Sequence, residues 1–343
     1  MIKPSKLQPG DTVALVSLSS GLAGEEDIKW RTEQGIERLE SIFGLTVKVM
    51  PHALKGLDYV YNHPEKRAED LNEALRDHSV KAIICAIGGN ETVRILPFVD
   101  TDALQNNPKI FTGYSDTTAN HLFFYKHGIS TSYGPALLTD FAENIAMDEY
   151  TVNSIEKTWF SAEPIGEIKT SPHIRKIGLS WDSENKSTER PKDNNPGYES
   201  IGASGKGRGH LIGGCLEVFN NLRGTKYFPE LSDFKDAILF FETSECYLDP
   251  EIFEDYLRAL SVIGIFEHIN GIVIGRPQDG RYYTEYKESW RRILTEAGRS
   301  DLPVLYNGSF GHNEPKSIIP YGLEAEIDTE NLTFKILESA VKD

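Results

Sequence analysis

Cysteine is scarce: Cys85, Cys215 and Cys246 are the only three in 343 residues, and no two form a CxxC pair. That spacing excludes a disulfide framework and a zinc knuckle, and it fits a reducing compartment. Basic residues are in the minority, 36 Lys and Arg against 52 Asp and Glu, for a net charge of −16. A chain that binds nucleic acid or an anionic membrane through phosphates needs a basic stripe, so neither is expected as the main partner. Long apolar runs are missing too. No stretch approaches the ~20 residues that span a bilayer, and Val13–Leu18 is too short for the core of a signal peptide. The expected location is therefore the cytoplasm. GxGxxG, GxxxxGK[ST] and HExxH are all absent, which excludes dinucleotide, P-loop and zinc-hydrolase readings. The His, Cys and carboxylate spacing offers no metal set, and neither metal nor cofactor is expected.

What is present alternates. Val13–Ser17 reads as a buried strand, Asp27–Phe43 as a helix, Leu45–Met50 as a strand and Pro64–Asp77 as a helix. Lys81–Ile87 is a strand running into Gly88-Gly89-Asn90. A helix is predicted over Glu91–Phe98, a strand over Lys109–Gly113 and a helix over Thr117–His127. Strands alternating with helices imply a parallel α/β sheet, whose ligands gather at the carboxyl ends of the strands. Gly88-Gly89 and Ser115 both fall at such ends. The stretch from Ser171 to Gly207 is polar and rich in Gly, Pro, Ser and Asn, and reads as a long loop at a domain boundary. Beyond it, Gly209–Gly214 begins a second segment, and strands are predicted at Ala237–Phe241, Gly271–Gly275, Pro303–Tyr306, Ala325–Asp328 and Leu332–Leu337. Helices are predicted at Pro250–Ile263 and Ser289–Ala297.

Ser115 carries the sharpest chemical signal. In Gly113-Tyr-Ser-Asp-Thr117 it stands between a strand and a helix. Such a turn lifts a hydroxyl out of the sheet and leaves backbone N–H groups beside it. The plainer reading is that Ser115-Asp116 caps the helix. A serine nucleophile needs a base. His312 is the first candidate, because Gly308 and Gly311 leave the backbone free to aim it; the alternative is a structural histidine at a turn. His121, six residues past Ser115, ranks second. Glu242 ends an apolar strand, where a carboxylate is unusual, and could orient the base. Glu245 reads as a solvated loop charge. Gly88-Gly89 is either a tight turn or a close approach that donates a second oxyanion N–H.

Several segments together resemble one family. They are Ile87-Gly-Gly-Asn90 with Ile95-Leu-Pro-Phe-Val-Asp100, Gly113-Tyr-Ser-Asp-Thr-Thr118, Tyr133-Gly-Pro135, Gly209-His-Leu-Ile-Gly-Gly214, Leu239-Phe-Phe-Glu242 with Glu245, and Gly311-His312. In this order they are similar to the serine peptidases that include LD-carboxypeptidases and the microcin C immunity peptidase. The resemblance implies a Ser115–Glu242–His312 triad and oxyanion N–H donors at Gly89 and Asp116. It implies an N-terminal flavodoxin-like or amidotransferase-like parallel sheet domain (1–165), an interdomain loop (166–207) and a C-terminal swivelling β/β/α domain (208–343). It also implies a homodimer.

Two branches compete. LD-carboxypeptidases release D-alanine from murein tetrapeptides and usually carry Arg before the paired glycines, where this chain has Ile87. The microcin-immunity branch has Ile-Gly-Gly-Asn and Ser-Asp-Thr-Thr, as here, and a loop tryptophan that stacks on adenine; Trp181 lies in such a loop. Thr243 stands where an acid is common. The expected function is thus amide hydrolysis through an acyl-enzyme on a peptidyl- or aminoacyl-nucleotide, with Gly88, Asn90 and Trp181 touching substrate. The alternatives are the murein carboxypeptidase and a non-catalytic peptide or nucleotide binding protein.

Overall fold

The computed structural model describes residues 1–177 and 179–343. Its first strands are β1 (Thr12–Val16), β2 (Thr46–Val49), β3 (Val80–Cys85), β4 (Ile110–Gly113), β5 (Ser132–Tyr133), β6 (Gly166–Glu167), β7 (His173–Arg175) and β8 (Lys192–Asn194). They are followed by β9 (Glu199–Gly202), β10 (Lys206–Cys215), β11 (Ile238–Glu242), β12 (Gly271–Gly275), β13 (Pro303–Gly308), β14 (Ile319–Pro320), β15 (Glu324–Asp328) and β16 (Thr333–Ile336). The chain is a mixed α/β protein built around two main sheets.

The first sheet runs β2-β1-β3-β4-β5-β14. Its first five strands are parallel, in the flavodoxin-like order, and β14 pairs antiparallel with β5. Val13, Leu15, Ile83 and Ile84 are fully buried, because helices cover both faces of a parallel sheet and leave its strands continuously apolar. In this order the strand sequence reverses between β1 and β3, so a crevice opens where β3 runs out into Gly88-Gly89.

The second sheet runs β6-β16-β15-β10-β11-β12-β13-β9. Strands β10 to β13 are parallel, with antiparallel strands on both flanks. Two elements join the sheets. The helix Thr118–Lys126 has every residue from Thr118 to Phe124 buried, as expected of a helix packed on all sides; Thr118 Oγ1 accepts the Cys215 N–H at 3.0 Å. Strand β14, which follows His312 in the chain, edges the first sheet.

Strand predictions for both sheets hold to within a few residues. Three differences have physical causes. The predicted helix at Glu91–Phe98 is a tighter 3-10 segment, Thr92–Phe98, with Pro97 inside it; proline lacks the N–H that an α-helix would use there. The polar 171–207 stretch holds β7, β8 and β9, whose partners lie far away in sequence or are equally polar. The helix Glu149–Trp159 and strand β14 went unread.

Candidate active site

Strand β4 delivers the chain to Ser115, whose φ of 63° is left-handed backbone. A non-glycine residue there costs about 1–3 kcal/mol and persists only where its surroundings hold it. They do so through Tyr133 at the end of β5, whose hydroxyl accepts the Ser115 N–H at 3.0 Å and donates to Glu242 Oε1 at 2.5 Å. Asp116 follows, with its carboxylate accepting the backbone N–H groups of Glu91 at 2.9 Å and Thr92 at 2.7 Å. The Ser115 turn is thereby tied to the glycine loop.

Glu242 closes β11 and is 1% exposed. Its Oε2 accepts both the His312 N–H at 3.0 Å and the imidazole Nδ1–H at 2.6 Å. The other ring nitrogen, Nε2, lies 3.1 Å from Ser115 Oγ. A carboxylate can come this close because Gly311, at φ +76°, carries no side chain; a Cβ there would stand 2.1 Å from Glu242 Cγ. Ser115, Glu242 and His312 thus form one hydrogen-bonded line across both sheets. Tyr114 packs edge-on against the imidazole, ring centroids 5.0 Å apart. Burial works against a charge on His312, but Glu242 and Glu245 outweigh it and lift the imidazole to about 10.

His121, the second candidate base, faces elsewhere. Its ring nitrogens are engaged by Thr131 Oγ1 at 2.8 Å and the Gly113 carbonyl at 2.9 Å, and burial pushes it down to about 3. Glu245 departs from its reading as a solvated loop charge. The turn after β11 folds back, anchored where Glu217 accepts the Ser244 N–H at 2.9 Å, and sets Glu245 Oε2 3.0 Å from His312 Nε2. Cys215 also approaches Glu242 and His312, the three donor atoms lying within 4.8 Å of one another. Both Glu242 oxygens are already hydrogen-bonded, and burial raises the Cys215 thiol well above its usual range, so proton transfer suits this trio better than metal ligation.

The line opens into a cavity of about 410 Å³, within the range of small-ligand sites. Gly88, Gly89, Ser115, His312, Trp181 and Glu245 are among its lining residues, whereas Asn90 is exposed outside it. The Asp116 N–H sits in the first helical turn after β4, where amides have no intrahelical acceptor. Behind Trp181, the Arg31 guanidinium stacks at 4.5 Å and Trp30 Nε1 donates to the Trp181 carbonyl at 3.0 Å. The roof is pinned by ion pairs that no local sequence pattern announced. Arg175 pairs with Asp148, Arg190 with Glu143 and Glu314, and fully buried Lys316 with Asp140 at 2.9 Å.

Gly88 is explained by close approach. A Cβ at this position would stand 2.8 Å from Ser115 Cβ and 3.0 Å from its Oγ. Gly88→Ala is therefore expected to lower kcat/KM roughly 100-fold, the cost of displacing a reacting group by about 1 Å. Steady-state kinetics, with a thermal melt to show retained folding, check this.

Residues 13–134 match the LD-carboxypeptidase N-terminal domain and residues 208–327 match the LD-carboxypeptidase C-terminal domain. This chain belongs to the LD-carboxypeptidase family. Among its family relatives, a carboxypeptidase assigned as putative in Vibrio cholerae is 31% identical over 81% of this chain and 81% of its own length. The microcin self-immunity protein MccF of Escherichia coli is 30% identical over 97% of this chain and 94% of its own. The structure of an MccF-like protein from Streptococcus pneumoniae in complex with AMP aligns with a TM-score of 0.88 at 37% identity, over 95% of this chain and 98% of that one. MccF in complex with aspartyl sulfamoyl adenosine aligns with a TM-score of 0.85 at 26% identity, over 100% of both chains. Among the described residues of this family member, no helix is long and apolar enough to cross a membrane.

Proposed function

We propose that this peptidase-family chain is a serine amidase that cleaves a peptidyl- or aminoacyl-nucleotide through an acyl-enzyme. The observation that carries the reading is the continuous line from Ser115 Oγ to His312 Nε2, 3.1 Å, and from His312 Nδ1 to Glu242 Oε2, 2.6 Å, at the wall of one cavity. Ser115 attacks the carbonyl carbon while neutral His312 takes its proton at Nε2. Glu242 fixes the tautomer and stabilises the imidazolium that forms. Backbone N–H groups of Gly89 and Asp116 hold the oxyanion. His312 then returns the proton to the leaving group, and water, activated by the same histidine, releases the acyl group. The enzyme works as a homodimer in the cytoplasm under this reading.

The nucleotide half of the proposal rests on Trp181. It lines the cavity with Arg31 behind it, and relatives bind AMP and an aminoacyl sulfamoyl adenosine. Stacking of a base on an aromatic ring contributes about 1–3 kcal/mol, so Trp181→Ala is expected to raise KM for a nucleotide substrate roughly 5- to 150-fold with little change in kcat. Mass spectrometry on aspartyl sulfamoyl adenosine and on a murein tetrapeptide ending in D-alanine tests the substrate class. Cleavage of the nucleoside conjugate, absent in Ser115→Ala, supports the proposal. Release of D-alanine alone moves the protein to cell-wall peptides, and binding without turnover of either makes it a binding protein.

A further inference from the structure

His312 Nε2 has two suitors. Ser115 Oγ lies 3.1 Å away and Glu245 Oε2 lies 3.0 Å away. A carboxylate only accepts, so Glu245 and the ring form an ion pair only when Nε2 carries a hydrogen. Nδ1 already gives its hydrogen to Glu242 at 2.6 Å. A ring that serves both carboxylates is an imidazolium, and an imidazolium cannot take the proton of Ser115.

The two carboxylates differ in freedom. Glu242 is fully enclosed at a strand end, whereas the Glu245 side chain is 60% exposed, stands on a turn and lines the cavity. Among the described residues its only ion-pair partner is His312. Around the ring, Tyr114 packs against it and the buried Cys215 thiol lies beside it and Glu242, while Arg175 and Arg190, which line the same cavity, are paired with Asp148, Glu143 and Glu314. Lys316, across Tyr114, is held by Asp140 and Glu314.

We propose that Glu245 is the specificity-determining group for a substrate ammonium adjacent to the scissile carbonyl, and that this ammonium draws Glu245 off His312. The inference rests on Ser115 as nucleophile, and it narrows the substrate class to amides whose acyl part carries a free amine, as an aminoacyl group does. The ammonium replaces the imidazolium as the carboxylate's partner. His312 then loses one of the two charges that hold its proton, releases the Nε2 proton to water, and accepts the next one from Ser115 Oγ as the O–C bond forms. A ligand without the ammonium leaves His312 charged and Ser115 unreactive.

The test uses two serine-directed probes, the diphenyl phosphonate analogue of alanine with a free amine and its N-acetyl derivative. Each labels by forming an Oγ–P bond and expelling phenoxide. At pH 7 the wild type is expected to react roughly tenfold or more faster with the free amine, in line with the coupling of a close charge pair. Glu245→Gln should bring the two rates within about twofold, raising the N-acetyl rate while lowering the other. The acid limb of its N-acetyl pH profile should move to lower pH. A preference retained in Glu245→Gln overturns the inference, as does a wild type with no preference or a variant slowed equally on both probes. These outcomes leave Ser115 standing. Absence of labelling at Ser115 by either probe in either protein removes the nucleophile and the inference together.

Discussion

Ser115→Ala is expected to lower kcat by about four orders of magnitude or more, since a triad nucleophile acts as a unit with its base. The fold should tolerate the change. The Ser115 N–H still reaches Tyr133, Asp116 still holds the glycine loop, and alanine adds no atom to a position that is 9% exposed. Alanine is also no worse than serine at the left-handed φ of 63°. The expected signature is thus loss of turnover with substrate binding retained. Single-turnover mass spectrometry for an acyl adduct, beside calorimetric binding of aspartyl sulfamoyl adenosine, reads both quantities. A variant that keeps wild-type turnover would exclude Ser115 from the chemistry.

The second large effect is expected from Glu242→Gln. Glutamine can still accept both His312 N–H groups through its amide oxygen, but its NH2 then meets Tyr133, whose hydroxyl loses an acceptor while still accepting the Ser115 N–H. The substitution also removes the negative charge opposite Nδ1. Without it the imidazolium formed during attack is less stable, and kcat is expected to fall about 10⁴-fold, as for an isosteric change at the acid of a serine triad. The same variant has a signature in stability. His312 is raised in the fold from 6.5 to about 10. Its contribution is therefore complete below about 6.5 and is lost as pH rises through about 10. Glu242 is lowered in the fold, so its own contribution is constant over that range. Urea unfolding should show the wild type most advantaged over Glu242→Gln near pH 6, with the gap narrowing toward pH 10. Buried Lys109, pushed down to about 8 by burial, acts in the opposite direction in the same window, but it is common to both proteins and cancels in the difference. A gap independent of pH would mean that His312 is not charged in the folded protein.

The sequence announced the parts of this site that depend on local chain geometry. A strand running into Gly88-Gly89, a serine between strand and helix, and a carboxylate ending an apolar strand are each written within a few consecutive residues. Their meeting was not. Nothing near His312 says that Glu242, 70 residues earlier in sequence, lies against its ring. Only the family order of motifs implied it. Tyr133, which hydrogen-bonds to both Ser115 and Glu242, looked like the end of a strand because its role depends on a contact 109 residues away. Glu245 was misread for a related reason. An exposed carboxylate on a turn is ordinarily solvated, and only the bonding of Ser244 to Glu217 fixes the turn that brings it to His312. The short strands of 171–207 were hidden because β7 and β8 pair through largely polar residues and β9 finds its apolar partner, β13, only far along the chain. The buried ion pairs of Arg175, Arg190 and Lys316 join segments that sequence patterning treats as unrelated loops.

Strand β14 closes the edge of the first sheet with residues 319–320, after every other strand of that sheet has long been made. During synthesis, the first half of the chain emerges with β5 lacking its outer neighbour, an open edge that invites wrong pairing. It also emerges without Glu242 or His312, so Ser115 lacks the hydrogen-bonded line it joins in the finished fold. The strand that seals the edge arrives just behind His312, which makes completion of the sheet and assembly of the Ser115–His312–Glu242 line coincide late in synthesis. For the same reason, cutting the chain between its two sheets leaves the N-terminal fragment with an unpaired edge at β5.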